Sequence, residues 1–282
     1  MIKPEQTEKL AFGLLFLATI IVILPVALIF ILILVKGLPA ITPTFIFEMP
    51  RDGMRAGGIF PAIVGTICLM LGTAVFAVPF GVLAAIYLNE YAHKNWLSRA
   101  IELSIINLAG VPSIVYGLFG LGLFVTFIQL GASILAGSLT LAIMTLPVII
   151  TATREALNTV PKNFREVSFS LGASRWQTVR YAVLPNAIPG IITGTILGLS
   201  RAAGETAPIL FTVAAFYLPS LPQSVYDQVM ALPYHIYVLS TQVPNVSEGI
   251  QYGTVLVLVG MIFLMNIIAS LFRAKLRKRK TW

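Results

Sequence analysis

Two ionisable residues stand four apart in a stretch that is otherwise apolar. Arg201 and Glu205 are preceded by Ile191 to Leu199 and followed by Ile209 to Ala215. Four-residue spacing puts both on one helical face, so each can reach the other. Arginine offers a planar fork of donors suited to an oxyanion. A carboxylate beside it accepts a hydrogen bond from a protonated oxyanion and repels an unprotonated one, which sets rejection next to attraction. The plainer reading is an ion pair that satisfies itself and only packs; spacing leaves both open. The same segment carries Gly190, Gly194, Gly198 and Ala202, each four apart. Such a stripe lets another helix, of this chain or of a partner, approach closely.

Little else in the chain could do covalent chemistry. His93 and His235 are too few and too separated for a metal centre. The single Cys68 lies in an apolar run, so an intrachain disulfide or a cysteine metal cluster is excluded. With no nucleophile–base pair visible, the expectation is no catalytic residue and no metal site.

The elements that must position Arg201 and Glu205 are set by composition. Of 282 residues, 57% are apolar and 11% charged, and the mean hydropathy is +0.91. Soluble domains carry about 25% charged residues. The chain therefore reads as an all-α integral membrane protein and not as a soluble enzyme or a secreted disulfide scaffold. At about 20 apolar residues per crossing, six spans are expected, roughly 10–35, 60–88, 101–129, 134–153, 187–216 and 250–272. Pro79, Pro112 and Pro208 predict kinks or tilts in the second, third and fifth. The first follows Lys3 and Lys9 but is too long for a signal peptide and shows no clear cleavage site before Lys36. Arg201 then lies about 21 Å along the fifth span at 1.5 Å per residue, near mid-bilayer, where a charge normally faces a bundle interior or wet cavity.

The net charge of +8 matters less than its placement. With the N-terminus in the cytoplasm, fifteen Lys and Arg fall inside, including the tail Arg273, Lys275, Arg277, Lys278, Arg279 and Lys280. Lys36, Arg51 and Arg55 fall outside. This fits the positive-inside rule and puts both termini in the cytoplasm. The tail is read as a membrane anchor and not as a nucleic-acid site, since no folded basic domain surrounds it. Two outer loops, about 36–59 and 217–249, either pack over the bundle or dock an external partner.

The inner segment 154–186 is the most informative. Pro161 can open a short helix, and Gly172 would end it. Phe164, Val167 and Leu171 give an apolar side; Lys162, Arg165, Glu166 and Ser170 give a polar one, with Phe169 among them. Such a helix lies on the inner leaflet or is presented to a cytoplasmic protein. Glu166, Gly172 six residues on, Ala173, and the closing Leu184-Pro185 resemble the EAA loop of ABC importer permeases, although Val167-Ser168 stand where two alanines are usual. The resemblance implies a coupling helix seated in a separate ATPase subunit. No Gly in this chain is followed by Lys, so the Gly-x-x-x-x-Gly-Lys-Ser/Thr phosphate cradle is lacking.

A narrower resemblance joins three stretches: Ser200-Arg201-Ala202-Ala203-Gly204-Glu205-Thr206-Ala207-Pro208, Gly110 to Gly120, and Gly57 to Thr66. Together they resemble phosphate-specific ABC permeases of the PstA type. That family implies a type I importer (MetI-like) permease fold filling 1–282 as one transmembrane domain, with 154–186 as its coupling loop. It implies a multi-pass subunit of the prokaryotic inner membrane that moves phosphate inward by alternating access. The implied partners are a sister permease of the PstC type, two ATP-binding subunits and an extracytoplasmic phosphate-binding protein. ATP, with its Mg, is used by the partner ATPase, and this chain binds no cofactor. Arg201 and Glu205 carry over as residues needed for transport. Near neutral pH phosphate keeps a proton, its pKa being of the order of the ~6 of its monoesters, whereas sulfate keeps none. The alternatives are a permease for another oxyanion (sulfate or molybdate) and an ATP-independent anion channel or transporter. Around Pro112 a packing role is favoured over substrate contact by Ser113 or Tyr116.

Overall fold

The computed structural model describes residues 4–93 and 95–278. Of the cations counted as inward-facing, Lys3, Lys94, Arg279 and Lys280 lie outside these residues, as do the side chains of Lys9, Arg277 and Lys278. In chain order the helices are α1 (Pro4–Gly37), α2 (Pro43–Phe47), α3 (Phe60–Ile86), α4 (Trp96–Ala109), α5 (Ser113–Gly120), α6 (Ile134–Asn158), α7 (Lys162–Ser170), α8 (Arg175–Gln177), α9 (Leu184–Ala203), α10 (Ala207–Thr212), α11 (Leu232–Thr241) and α12 (Glu248–Lys278). Three wide π-helical turns extend α3 over Tyr87–Tyr91, extend α5 over Leu121–Phe127, and join α8 to α9 over Thr178–Val183.

Among the described residues five helices are long and apolar enough to cross a membrane; the bent α4–α5 pair makes a sixth if counted as one span. The kink expected in the third span is present and sharp, a bend of 104° between α4 and α5. Pro112 has no N–H to give the helix and pushes its predecessor out of the helical region. Gly110 ends α4, and Pro112, at ψ 140°, starts α5. The bend is held by the Tyr116 hydroxyl, which donates to the Leu108 carbonyl at 2.7 Å.

The fifth span departs from expectation. It does not run 187–216. The helix is continuous from Arg175 to Ala203 and stops at Gly204, and the chain restarts as α10. Leu184-Pro185 is thus the first turn of α9 inside a longer helix, not the end of a loop.

The centre of the bundle is α6. Two-thirds of its apolar window is buried, against none for α1. The small-residue stripe of α9 lies on α6 within this chain: a Cβ added at Gly190 would stand 2.6 Å from that of Ala156, Gly194 is against Ala152, and Gly198 faces Ile149. The same Ile149 also meets α3, where a Cβ added to Gly81 would stand 2.7 Å from it. Close approach replaces the hydrophobic driving force that lipid removes.

Outside the bundle, the 36–59 loop forms a two-stranded hairpin, β1 (Pro50–Arg51) with β2 (Ala56–Gly57). The 217–249 loop folds back onto the bundle, burying Val229, Met230, Leu232, Val238 and Leu239. Loop carbonyls of Val225 and Asp227 accept from Leu135 and Ile134 N–H at 3.0 and 2.9 Å, satisfying donors that α6 leaves open at its start. Packing over the bundle is therefore the reading that holds for this part of the loop.

His235 of α11 is buried, and burial holds its imidazole down from the ordinary 6.5 to about 4. The fold favours the neutral ring, so this stabilisation is complete above pH 6.5 and is lost as pH falls from 6.5 towards 4, by on the order of 3 kcal/mol. The unfolding midpoint of the detergent-solubilised protein should drop across that window, and a His235→Leu variant should flatten the drop. A second expectation concerns α9: Gly194→Ala should cost about 1–3 kcal/mol through overpacking against Ala152. Gly13→Ala, with nothing within 4 Å of the added carbon, should leave the midpoint in place.

Candidate functional site: a charge pair at a helix break

Arg201 sits in the last turn of α9, two residues before its last residue, Ala203. There it faces the negative end of the helix dipole, which favours a cation. It does not lie mid-helix between two apolar flanks, as the expected 187–216 span required. Beyond it the turn closes with Gly204 N–H donating to the Arg201 carbonyl at 3.1 Å and Glu205 N–H to that of Ala202 at 3.2 Å. Glu205 thus lies past the helix end. The pair is nevertheless formed: Arg201 Nε stands 3.6 Å from Glu205 Oε1. That contact is loose beside the 2.6–2.7 Å ion pairs elsewhere in the chain. The Arg201 side chain is 57% exposed and that of Glu205 17%. The guanidinium therefore has donors to spare on an open side.

The three stretches singled out in the sequence converge here. From the second, Gly117 of α5 packs on the α10 start, where an added Cβ would meet the Ala207 carbonyl at 2.8 Å and Phe211 at 2.9 Å. Tyr116 is buried and donates to Leu108, which is the packing role favoured from the sequence. From the third, Gly65 lies against the Met230 carbonyl. Thr66 accepts from Leu232 N–H at 2.8 Å while donating to Ala62 at 2.7 Å. Thr66, Thr73, Leu141, Ala203, Glu205 and Ala231 line a narrow cleft of about 10 Å³, room for no more than about one water molecule. Next to it, the Ser200 hydroxyl donates to Asn266 of α12 at 3.2 Å.

At the opposite functional end, α7 forms as expected, although Pro161 precedes it as its cap and is not its first residue. Gly172 has φ +79°, a region glycine enters without strain. Gly172 and Ala173 N–H donate to Phe169 and Ser168 carbonyls at 2.9 and 3.2 Å, which is a Schellman closure. Ser174 and Gln177 cap α8 reciprocally. Glu166 is exposed. Val167 is 60% and Leu171 82% exposed, so most of the apolar side points away from the bundle. Arg165, grouped with the polar side, turns inward. Its Nη2 and Nε donate to Glu90 at 2.6 and 3.1 Å, and it also reaches the carbonyls of Val160 and Leu157 at 3.0 and 3.1 Å.

The sequence did not indicate this pair, nor Arg154–Glu102 at 2.7 Å. The available signal was that carboxylates at the inner ends of two spans face a loop rich in arginine.

The family model for the inner-membrane component of binding-protein-dependent transport systems matches residues 77–282. The chain belongs to that family. It is 33% identical to the probable ABC transporter permease protein YqgI of Bacillus subtilis, over 98% of both chains. It is also 33% identical to the phosphate transport system permease protein PstA 1 of Mycobacterium tuberculosis, over 94% of this chain and 88% of that protein. Its fold matches the MetNI methionine ABC transporter solved in inward-facing conformations, with a TM-score of 0.62 and 16% identity over 77% of this chain and 97% of that one. The resemblance to the PstA type and the MetI-like fold are thereby borne out. As an ABC importer permease the chain is a transport subunit, and in such systems the ATPase is a separate chain.

If Tyr116 serves the bend and not the substrate, Tyr116→Phe should lower stability by about 1 kcal/mol, the usual worth of one hydrogen bond. Transport by the assembled complex should stay within about twofold of wild type.

Proposed function

We propose that this chain is one of two permease subunits of an ATP-driven phosphate importer. The observation that carries the proposal is the Arg201–Glu205 pair at the α9–α10 break, loosely joined and open on the arginine side. A guanidinium inside an apolar span is costly unless it faces protein or water. Its open side therefore meets a sister permease of the PstC type, and the pathway runs along that seam. Arg201 lends donors to the crossing anion; Glu205 accepts from the proton that phosphate retains and repels sulfate. The match to PstA 1 over most of both chains supports the substrate.

Two ATP-binding subunits would receive the exposed Val167–Leu171 side of α7, with Glu166, Gly172, Ala173, Leu184 and Pro185 shaping the coupling segment. An extracytoplasmic binding protein would deliver phosphate to the outer face. The end of α1 pairs with the start of α12 through Lys36 and Glu248 at 2.6 Å. The two helices therefore run antiparallel from that shared end, which supports both termini on one side, the cytoplasmic one by charge.

Radiolabelled phosphate uptake by the assembled complex tests this. Arg201→Ala should reduce uptake by at least about 100-fold, since loss of a charged hydrogen-bond partner costs about 3 kcal/mol. Co-purification of the ATPase should be unaffected. Glu205→Gln should let sulfate compete. Full uptake by Arg201→Ala would remove the pair from the pathway. Competition by sulfate or molybdate already in wild type would favour a permease for another oxyanion. Transport by the chain alone, without ATPase, would favour a channel.

A further inference from the structure

The coupling helix α7 has no buried residue of its own. It is joined covalently to α6 through 159–161 and to the 175–203 helix through 171–174, and it has no such link to α3. Phe164 packs against a buried cluster containing Ile86, Leu157, Val179 and Val183, and Ser168 hydrogen-bonds to Thr178 at 2.9 Å. The apolar contact of Phe164 can slide, and the Ser168–Thr178 bond ties α7 to the segment that leads into α9, not to α3. Arg165 cannot slide in the same way. Its fork holds both Glu90 oxygens, at 2.6 and 3.1 Å, while the same guanidinium donates to the Leu157 carbonyl in the last turn of α6 and to the Val160 carbonyl just beyond it. The two side chains are 19% and 10% exposed, so water competes little. A two-pronged charged contact fixes orientation as well as distance. Glu90 stands in the π turn that ends α3, where Ala92 N–H reaches back to Tyr87 at 2.9 Å. The segment facing it from the other side, Thr178–Val183, is also a π turn. Such turns mark functional positions in helices.

We infer that Arg165 and Glu90 are a positioning pair that makes the inner end of α3 travel with the coupling helix. Motion delivered to α7 then reaches α3 directly and not only through the covalent neighbours α6 and α9. The inference rests on membership of the importer-permease family and is independent of which anion is carried.

The test uses the full transporter, with its partner subunits, in a Cys68→Ala background. Spin labels are placed at His93, just past α3, and at Lys162, at the start of α7. Distances are measured without nucleotide and with ATP trapped by vanadate. With the pair intact, the inter-label distance should change by less than about 3 Å between the two states, below the one-turn shift of packed elements. In Glu90→Gln, which keeps the shape and removes the charge, it should change by more than that. Arg165→Lys, a point charge without the fork, should give the same result if Glu90→Gln does not assemble. A larger change with the pair intact would overturn the inference, whichever variants assemble. So would a Glu90→Gln complex whose labels still move together.

Discussion

In hydrocarbon, a broken backbone or an ionised side chain must find its partners inside the protein. That constraint organises this chain. The backbone is interrupted twice within the apolar region, at Gly110–Pro112 and at Gly204–Thr206, and the two interruptions are packed on each other through α5 and α10. Tyr116 closes one bend by donating to Leu108. Two turn N–H groups, of Gly204 and Glu205, and the dipole of α9 meet the needs of the other. Glu205 is largely covered, whereas Arg201 is left with an open side. That open side of Arg201 is what the proposed phosphate pathway rests on.

The rest of the molecule holds this break in place. α6 is the post against which α3 and α9 lean, and glycines and alanines on both contacts set the spacing. The returning outer loop seals one end of the bundle by burying α11 and by supplying carbonyls to the start of α6. At the inner end, arginines tie helix ends together: Arg154 to Glu102 and Arg165 to Glu90. The apolar face of α7 that carries Val167 and Leu171 is left exposed, while Arg165 clamps its inward side.

Much of this was legible in advance. Long apolar runs, the stripe at 190, 194, 198 and 202, and the ordered Glu166, Gly172 and Leu184-Pro185 are local patterns with local physical causes. The breaks were less legible. Pro112 announced a bend but not its 104°, because a proline forbids helix without saying where the next helix packs. The end of α9 at Ala203 was hidden by apolar residues on both sides of Arg201; hydropathy measures solubility in lipid and is blind to whether the backbone hydrogen bonds continue.

By itself the sequence determined the all-α membrane class, the rough position of most spans, the short amphipathic helix between Pro161 and Gly172, and the pairing of Arg201 with Glu205. Each of these follows from residue type and from spacing within one continuous segment, from the four-residue step of a helical face to the roughly 20 residues of a span. Tertiary structure alone decided that the pair sits at a helix end and opens to one side, that Arg165 points inward to Glu90, 75 positions away, and that the 217–249 loop packs instead of projecting. These depend on contacts between residues far apart in the chain, and no local periodicity encodes which partner a side chain will meet.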